Sequence, residues 1–148
     1  MAISAEFQKR IAALADEADF SRTELKEQMQ VSSSFNNALN YGIIPTPKTL
    51  IKIADYFGVS LNYLLGYDKE NNFVPSADNK RFNDRFTELC KEKSATHYRV
   101  GTDCGFDKSL ISRWLSKNYL PSLEIAEILS AYFKVSLDYL FGRTDYRN

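Results

Sequence analysis

The stretch Tyr56-Phe57-Gly58-Val59-Ser60-Leu61-Asn62-Tyr63-Leu64-Leu65-Gly66 returns as Tyr132-Phe133-Lys134-Val135-Ser136-Leu137-Asp138-Tyr139-Leu140-Phe141-Gly142. Eight of the eleven positions are identical, at a constant offset of 76. Pro45 and Pro121 keep the same offset, whereas Val31 and Phe106 align at 75, so one copy carries a one-residue change in between. Self-similarity of this kind is read before anything else, because missing it misassigns the whole fold. The 148 residues are therefore two copies of one unit, at residues 1–67 and 80–144 and onward to 148, and not one mid-sized domain. Between them lies GYDKENNFVPSADN, residues 66–79, a polar segment containing Pro75 and no sustained periodicity. Residues 68–79 of it read as a linker. A flexible chain of its length has an end-to-end distance of about 20 Å, and about 45 Å fully extended.

Each unit reads as five helices. In the first, Phe7, Ile11, Leu14 and Ala18 recur at helical spacing, predicting a helix over residues 5–18. Ser21 with Glu24 forms a capping-box pattern that starts a second helix near Arg22. Ser32 is placed to cap a third helix through Asn40, ended by Gly42. Thr46 followed by Pro47 opens a fourth helix to Phe57, and Ser60 caps a short fifth that Gly66 stops. The second unit repeats the plan. Phe82, Phe86 and Leu89 mark its first helix, and Thr96, Asp107, Ser122 and Ser136 start the other four. The expected class is all-α.

Composition narrows the function. Hydrophobic residues make up 44% and charged residues 26%, which is ordinary globular composition and not that of a disordered chain. Nineteen basic residues balance nineteen acidic ones, so no overall basic charge announces a nucleic-acid or membrane-surface binder. No apolar run reaches the roughly 18 residues of a transmembrane helix, and the N-terminus has no signal-peptide pattern, so a cytoplasmic protein is expected. Split by halves the neutrality dissolves. Residues 1–70 carry 7 basic and 9 acidic groups, and residues 71–148 carry 12 and 10.

The second unit contains Thr96-His97, Gly105-Phe106-Asp107-Lys108-Ser109-Leu110-Ile111-Ser112-Arg113-Trp114, Pro121-Ser122-Leu123-Glu124 and Val135-Ser136-Leu137-Asp138-Tyr139-Leu140-Phe141-Gly142. Taken together these resemble the Cro/lambda-repressor-type (Xre) helix-turn-helix family over nearly the whole unit. The first unit resembles the same family less closely, through Ser21-Arg22, Val31-Ser32, Gly42 and Val59–Gly66. The resemblance implies two tandem five-helix, lambda-repressor-like helix-turn-helix domains joined by a linker. In each, the third helix would enter the major groove of double-stranded DNA. The implied function is a sequence-specific transcriptional regulator, a repressor of bacterial or phage type. A single chain with two reading units would act as a pseudo-dimer on half-sites about 34 Å apart.

The residues support that reading on their own terms. Gly105 suits the positive backbone dihedral of a tight turn between helices two and three, where the first unit has the less comfortable Gln30. Phe106, Leu110 or Ile111, and Trp114 form a buried stripe that leaves Lys108, Ser109, Ser112 and Arg113 outward. Lysine and arginine suit guanine O6 and N7. By the resemblance, His97 and the loop residue Lys117 face phosphates. In the first unit, Phe35 with Ala38 or Leu39 is buried, leaving Ser33, Ser34, Asn37 and Asn40 as outward DNA-contact candidates, with Arg22 at the head of helix two. No residue from Ser32 to Ile44 is charged, whereas Asp107 to Leu120 carries three basic residues and one acid. Phosphate neutralisation supplies most non-specific affinity, so the second unit is expected to be the stronger DNA contact.

Other chemistry is not suggested. Cys90 and Cys104 form no metal-ligand pattern with the single histidine and read as core thiols, so no metal and no cofactor are expected. The run Ser32-Ser33-Ser34 has no histidine in its unit to act as a base, so an enzyme is not expected. Ile43 and Tyr119 follow the third helices, and Ile44 and Leu120 are expected to be buried. The rival reading is a protein-interaction module: the first unit, uncharged on its third helix, would form a homodimer or hold another protein partner and bind little or no DNA.

Overall fold

A computed structural model describes residues 2–78 and 80–148. The described residues are helical, and the one extended pairing among them is an isolated antiparallel bridge between Ile3 and Ile43. The chain divides into two compact units, Met1–Phe73 and Val74–Asn148.

The first unit holds α1 (Ala5–Glu17), α2 (Arg22–Met29), α3 (Ser34–Tyr41), α4 (Pro47–Phe57) and α5 (Leu61–Leu64). Local chemistry sets most of these boundaries. The Ser4 hydroxyl accepts from the Phe7 amide, Ser21 and Glu24 exchange both capping-box bonds, and Ser60 accepts from the Tyr63 amide. Phe7, Ile11, Phe35, Ala38, Ile53 and Leu61 are fully buried. They bring α1 against α3 and α5, while α4 covers α2 and α5. The segment before α1 lies along the loop after α3, with the Ser4 amide donating to the Gly42 carbonyl at 2.9 Å and the Ile44 amide to the Ala2 carbonyl at 3.0 Å.

The second unit holds α6 (Phe82–Lys93), α7 (His97–Cys104), α8 (Lys108–Lys117), α9 (Leu123–Phe133) and α10 (Leu137–Leu140). Thr96, Asp107, Ser122 and Ser136 each cap the helix they precede, and each side chain accepts a backbone amide. Its core is more aromatic. Trp114 stands edge-on to Phe82 and Phe86, with ring centroids 5.6 and 5.8 Å away.

The same arginine–tyrosine contact closes both units. Arg10 of α1 lies 3.8 Å over the Tyr63 ring and donates to the Tyr63 and Asp68 carbonyls at 2.7 and 3.2 Å. Arg85 of α6 lies 4.1 Å over the Tyr139 ring and donates to the Thr144 carbonyl at 3.0 Å. The second copy is elaborated. Arg85 also pairs with Asp145 at 2.9 Å, Arg147 pairs with Glu92 at 2.6 Å, and Arg143 forms a buried pair with Asp138.

Several expectations are corrected. The third helix of the first unit starts at Ser34, not after Ser32. Ser33 has helical dihedrals and makes no side-chain capping bond, and the Phe35 amide donates to the Ser32 carbonyl instead, a tight first turn. Ile44 and Leu120 are half-buried, as is Cys104. The segment 68–79 is not a free linker, since Asn71, Ser76 and Ala77 are hydrogen-bonded to their nearer unit.

Four non-glycine residues adopt left-handed backbone: Gln30, Ser94, Asn118 and Lys134. Gln30 (φ 56°) and Gly105 (φ 81°) occupy the same turn in the two copies. A side chain there costs roughly 1–2 kcal/mol. The extra freedom of an unfolded glycine costs about 0.4–1 kcal/mol. Gln30→Gly is therefore expected to stabilise the first unit by about 0.5–1 kcal/mol in chemical denaturation.

The Asp145 carboxyl is held below its usual range, first by the Ser76 hydroxyl, then by the Ala77 amide and Arg85. Glu92 is lowered by the Arg147 side chain. A carboxylate depressed in the folded state contributes stability above its unfolded pKa, about 4, and loses it as pH falls through the folded value. The segment after α10 is expected to loosen below about pH 4. In acid titration followed by circular dichroism, Asp145→Asn should show a smaller pH dependence than the natural chain.

Candidate nucleic-acid interface

Helix α8 is amphipathic in the strict sense. Ile111 and Trp114 are buried, while Lys108, Ser109, Ser112, Arg113, Ser116 and Lys117 are exposed. Its one acidic neighbour, Asp107, is occupied at the N-cap, where it accepts from the Ser109 amide at 2.9 Å. Lys108, Arg113 and Lys117 are engaged in no hydrogen bond or ion pair among the described residues. The exposed side of α8 is thus three cations and three hydroxyls, with no acid on the helix.

Beside it, the end of α6, the α6–α7 connection, the start of α7 and the start of α8 enclose an open groove of about 700 Å³. Lys91, Ser94, Thr96, His97, Tyr98, Lys108 and Ser112 line it, with no acidic side chain. The first turn of α7, with the positive end of its dipole, borders the same space, and the Thr96 hydroxyl takes the Arg99 amide there. The His97 ring rests against Phe86, centroids 5.8 Å apart, while the residue stays exposed. Cys90 also lines the groove, but burial pushes its thiol up to about 11, so it is not a thiolate at neutral pH. The acid closest to this surface on α7, Asp103, is already engaged. Tyr132 donates to it at 2.7 Å and Arg99 pairs with it at 3.1 Å, which lowers its pKa, while burial and then Asp103 raise the Tyr132 phenol to about 12. Among the described residues no group of three or more ligating side chains could hold a metal.

The first unit is different at the matching place. Ser33, Asn37 and Asn40 are exposed as expected, but Ser34 is half-buried and faces the Ser32 hydroxyl at 3.4 Å. Arg22 does not stand free: its guanidinium donates to the Asn40 side-chain oxygen at 2.8 Å, tying the head of α2 to the end of α3. Tyr41, at the last turn of α3, is 63% exposed. Ile43 is half-buried and paired with Ile3, whereas Tyr119 at the matching position is 57% exposed.

The left-handed residues give the register. Gln30 and Gly105 mark the turn before the third helix, and Gly42 and Asn118 mark its end. The first copy has one residue fewer between these marks, and α3 has 8 residues where α8 has 10. The deletion is taken from the start of α3. Its first turn is tightened at the end where α8 carries Lys108 and Ser109.

Of the residues singled out from the sequence, the structure gathers His97, Lys108 and Ser112 at one groove and sets Ser109, Arg113 and Lys117 elsewhere on the exposed side of α8. Arg22 and Asn40 are brought together, and Ser33, Ser34 and Asn37 lie apart from any cation pair. Lys91 and Tyr98 of the groove were not singled out. Their signal in the sequence is weak: each is a polar or aromatic residue off the apolar stripe of its helix.

Comparison with protein-family models, with curated proteins and with solved structures finds no match for this chain.

The placement of α8 depends on Gly101. This residue is buried in α7, and a Cβ there would stand 2.7 Å from the Phe106 carbonyl oxygen and 3.4 Å from the Lys108 nitrogen. Replacing glycine by alanine inside a helix ordinarily gains about 1 kcal/mol. Here the backbone must move instead, at about 1–3 kcal/mol. Gly101→Ala is expected to destabilise the second unit, whereas Lys26→Ala at the matching place should stay within about 0.5 kcal/mol. Urea denaturation of both variants measures the difference.

Proposed function

We propose that the chain is a sequence-specific DNA-binding regulator of the helix-turn-helix kind, a repressor acting in the cytoplasm, built from two tandem five-helix domains. The observation that carries this reading is the acid-free, exposed face of α8 beside a groove lined by Lys91, His97 and Lys108. Duplex DNA needs both parts: contacts to phosphates that hold the protein in register and contacts to base edges that read sequence. In this reading α8 lies in the major groove. Lys108 and Arg113 donate to guanine O6 and N7, and Ser109 and Ser112 to whichever base edge they meet. His97, Lys91 and the first-turn amides of α7 take a phosphate, and Lys117 takes another at the far end. No step requires a cofactor or a catalytic group.

The first unit then makes the weaker contact. Arg22 at the head of α2 is bonded to Asn40, and α3 offers Ser33, Ser34 and Asn37 without charge. The shortened first turn of α3 and the exposed Tyr41 favour a second reading for this unit alone: pairing with another protein or with a second copy.

Binding to DNA selected from a random pool tests the proposal at controlled salt. Affinity should fall with salt at a slope of about 0.9 per phosphate neutralised. Arg113→Ala should weaken selected-site binding by about 1–3 kcal/mol and relax its sequence preference. Asn37→Ala should cost less than a factor of about three. Equal losses would overturn the asymmetry, and absence of binding to any duplex at low salt would overturn the DNA reading. Gel filtration then reports whether the chain pairs through its first unit.

A further inference from the structure

The connector between the units is fastened at both ends. On the side of the first unit, Asn71 folds back onto the start of α5. Its side-chain oxygen accepts from the Ser60 and Phe73 amides at 3.1 and 3.3 Å, and its side-chain nitrogen donates to the Gly58 carbonyl at 3.1 Å. On the side of the second unit, the Ser76 amide donates to the Arg143 carbonyl at 2.8 Å. The Ser76 hydroxyl donates to one Asp145 oxygen at 2.7 Å, and the Ala77 amide to the other at 3.2 Å.

Asp145 is itself aimed. Arg85 holds it at 2.9 Å, and Arg85 is only 5% exposed, fixed over the Tyr139 ring and bonded to the Thr144 carbonyl. A buried cation thus orients a carboxylate toward two donors that belong to the connector. Hydrogen bonds to charged groups are among the stronger ones, so this end is the firmer of the two. The chain between Asn71 and Ser76 is four residues, 72–75, and the Phe73 amide among them is itself drawn to the Asn71 side chain. These residues reach at most about 18 Å, less than half the span of the polar segment counted whole.

We propose that the connector is a clamped strap, with Asn71 and Asp145 as its two clamps, and that their release turns a short leash into a long tether. The length of free chain sets the effective concentration of one unit near the other, so the clamps govern how independently the two units act. This device stands apart from what either unit binds.

Amide hydrogen exchange in the full chain, followed by NMR, reads each clamp separately. In the natural chain the Ser76, Ala77 and Ser60 amides should exchange at least tenfold more slowly than free-peptide rates. Asp145→Asn should accelerate Ala77 about fivefold or more and leave Ser60 unchanged, and Asn71→Ala should do the reverse. Ser76→Ala keeps the Asp145–Arg85 pair and should accelerate Asp78, whose amide bonds the Ser76 hydroxyl at 3.1 Å, without loosening α8. If Asp145→Asn also exposes the Ile111 and Trp114 amides, the unit has opened as a whole and Ser76→Ala decides the question. Free-peptide exchange of Ser76 and Ala77 in the natural chain, or rates unchanged by these substitutions, would overturn the strap.

Discussion

Each unit depends on an arginine of its first helix lying over a tyrosine of its last. Arg10 meets Tyr63 and Arg85 meets Tyr139, residues more than fifty positions apart in both cases. A domain of some seventy residues buries only about 60% of the surface its unfolded chain exposes, so closure of the bundle end to end is not guaranteed by the core alone. The guanidinium solves two problems at once. Its flat face covers the ring, and its N–H groups bond backbone carbonyls at the last helix or in the segment after it. With the first and last helices joined, the middle helices need only one buried stripe each. The opposite side of α8 is thereby free to remain polar.

The helix starts were legible in the sequence because capping is a conversation between residues three apart. Ser21 with Glu24, Ser60, Thr96, Asp107, Ser122 and Ser136 all act where their side-chain chemistry places them. The inward side of α8 was equally legible, since Ile111 and Trp114 follow helical spacing. The start of α3 was not. Three successive serines offer three equivalent caps, and the choice fell to the burial of Phe35, a tertiary constraint. The arginine–tyrosine contact and the fastening of the connector were invisible for the same reason: polar residues far apart carry no periodic signal. At the candidate interface the cations of α8 could be read directly, but Lys91 enters the groove only through the angle of the α6–α7 turn.

The duplication makes the asymmetry of the chain measurable in residues. The second copy adds a tryptophan to its core, a network of ion pairs behind α10 and three unengaged cations on α8. The first copy has a shortened α3 and binds its own cation to Asn40. These differences point the same way as the split in charge between the halves, although they arise from different residues.

The left-handed positions have a consequence of another kind. In the repeat alignment Gln30 corresponds to Gly105, Asn118 to Gly42 and Lys134 to Gly58, so at these three sites one copy has a glycine where the other has a side chain. Each pair is a substitution made at fixed backbone within one polypeptide, with its own matched control. The strain is also distributed unequally: the first copy bears it ahead of α3, the second copy behind α6, α8 and α9. The left-handed backbone is thus met with a side chain before the third helix in one copy and after it in the other.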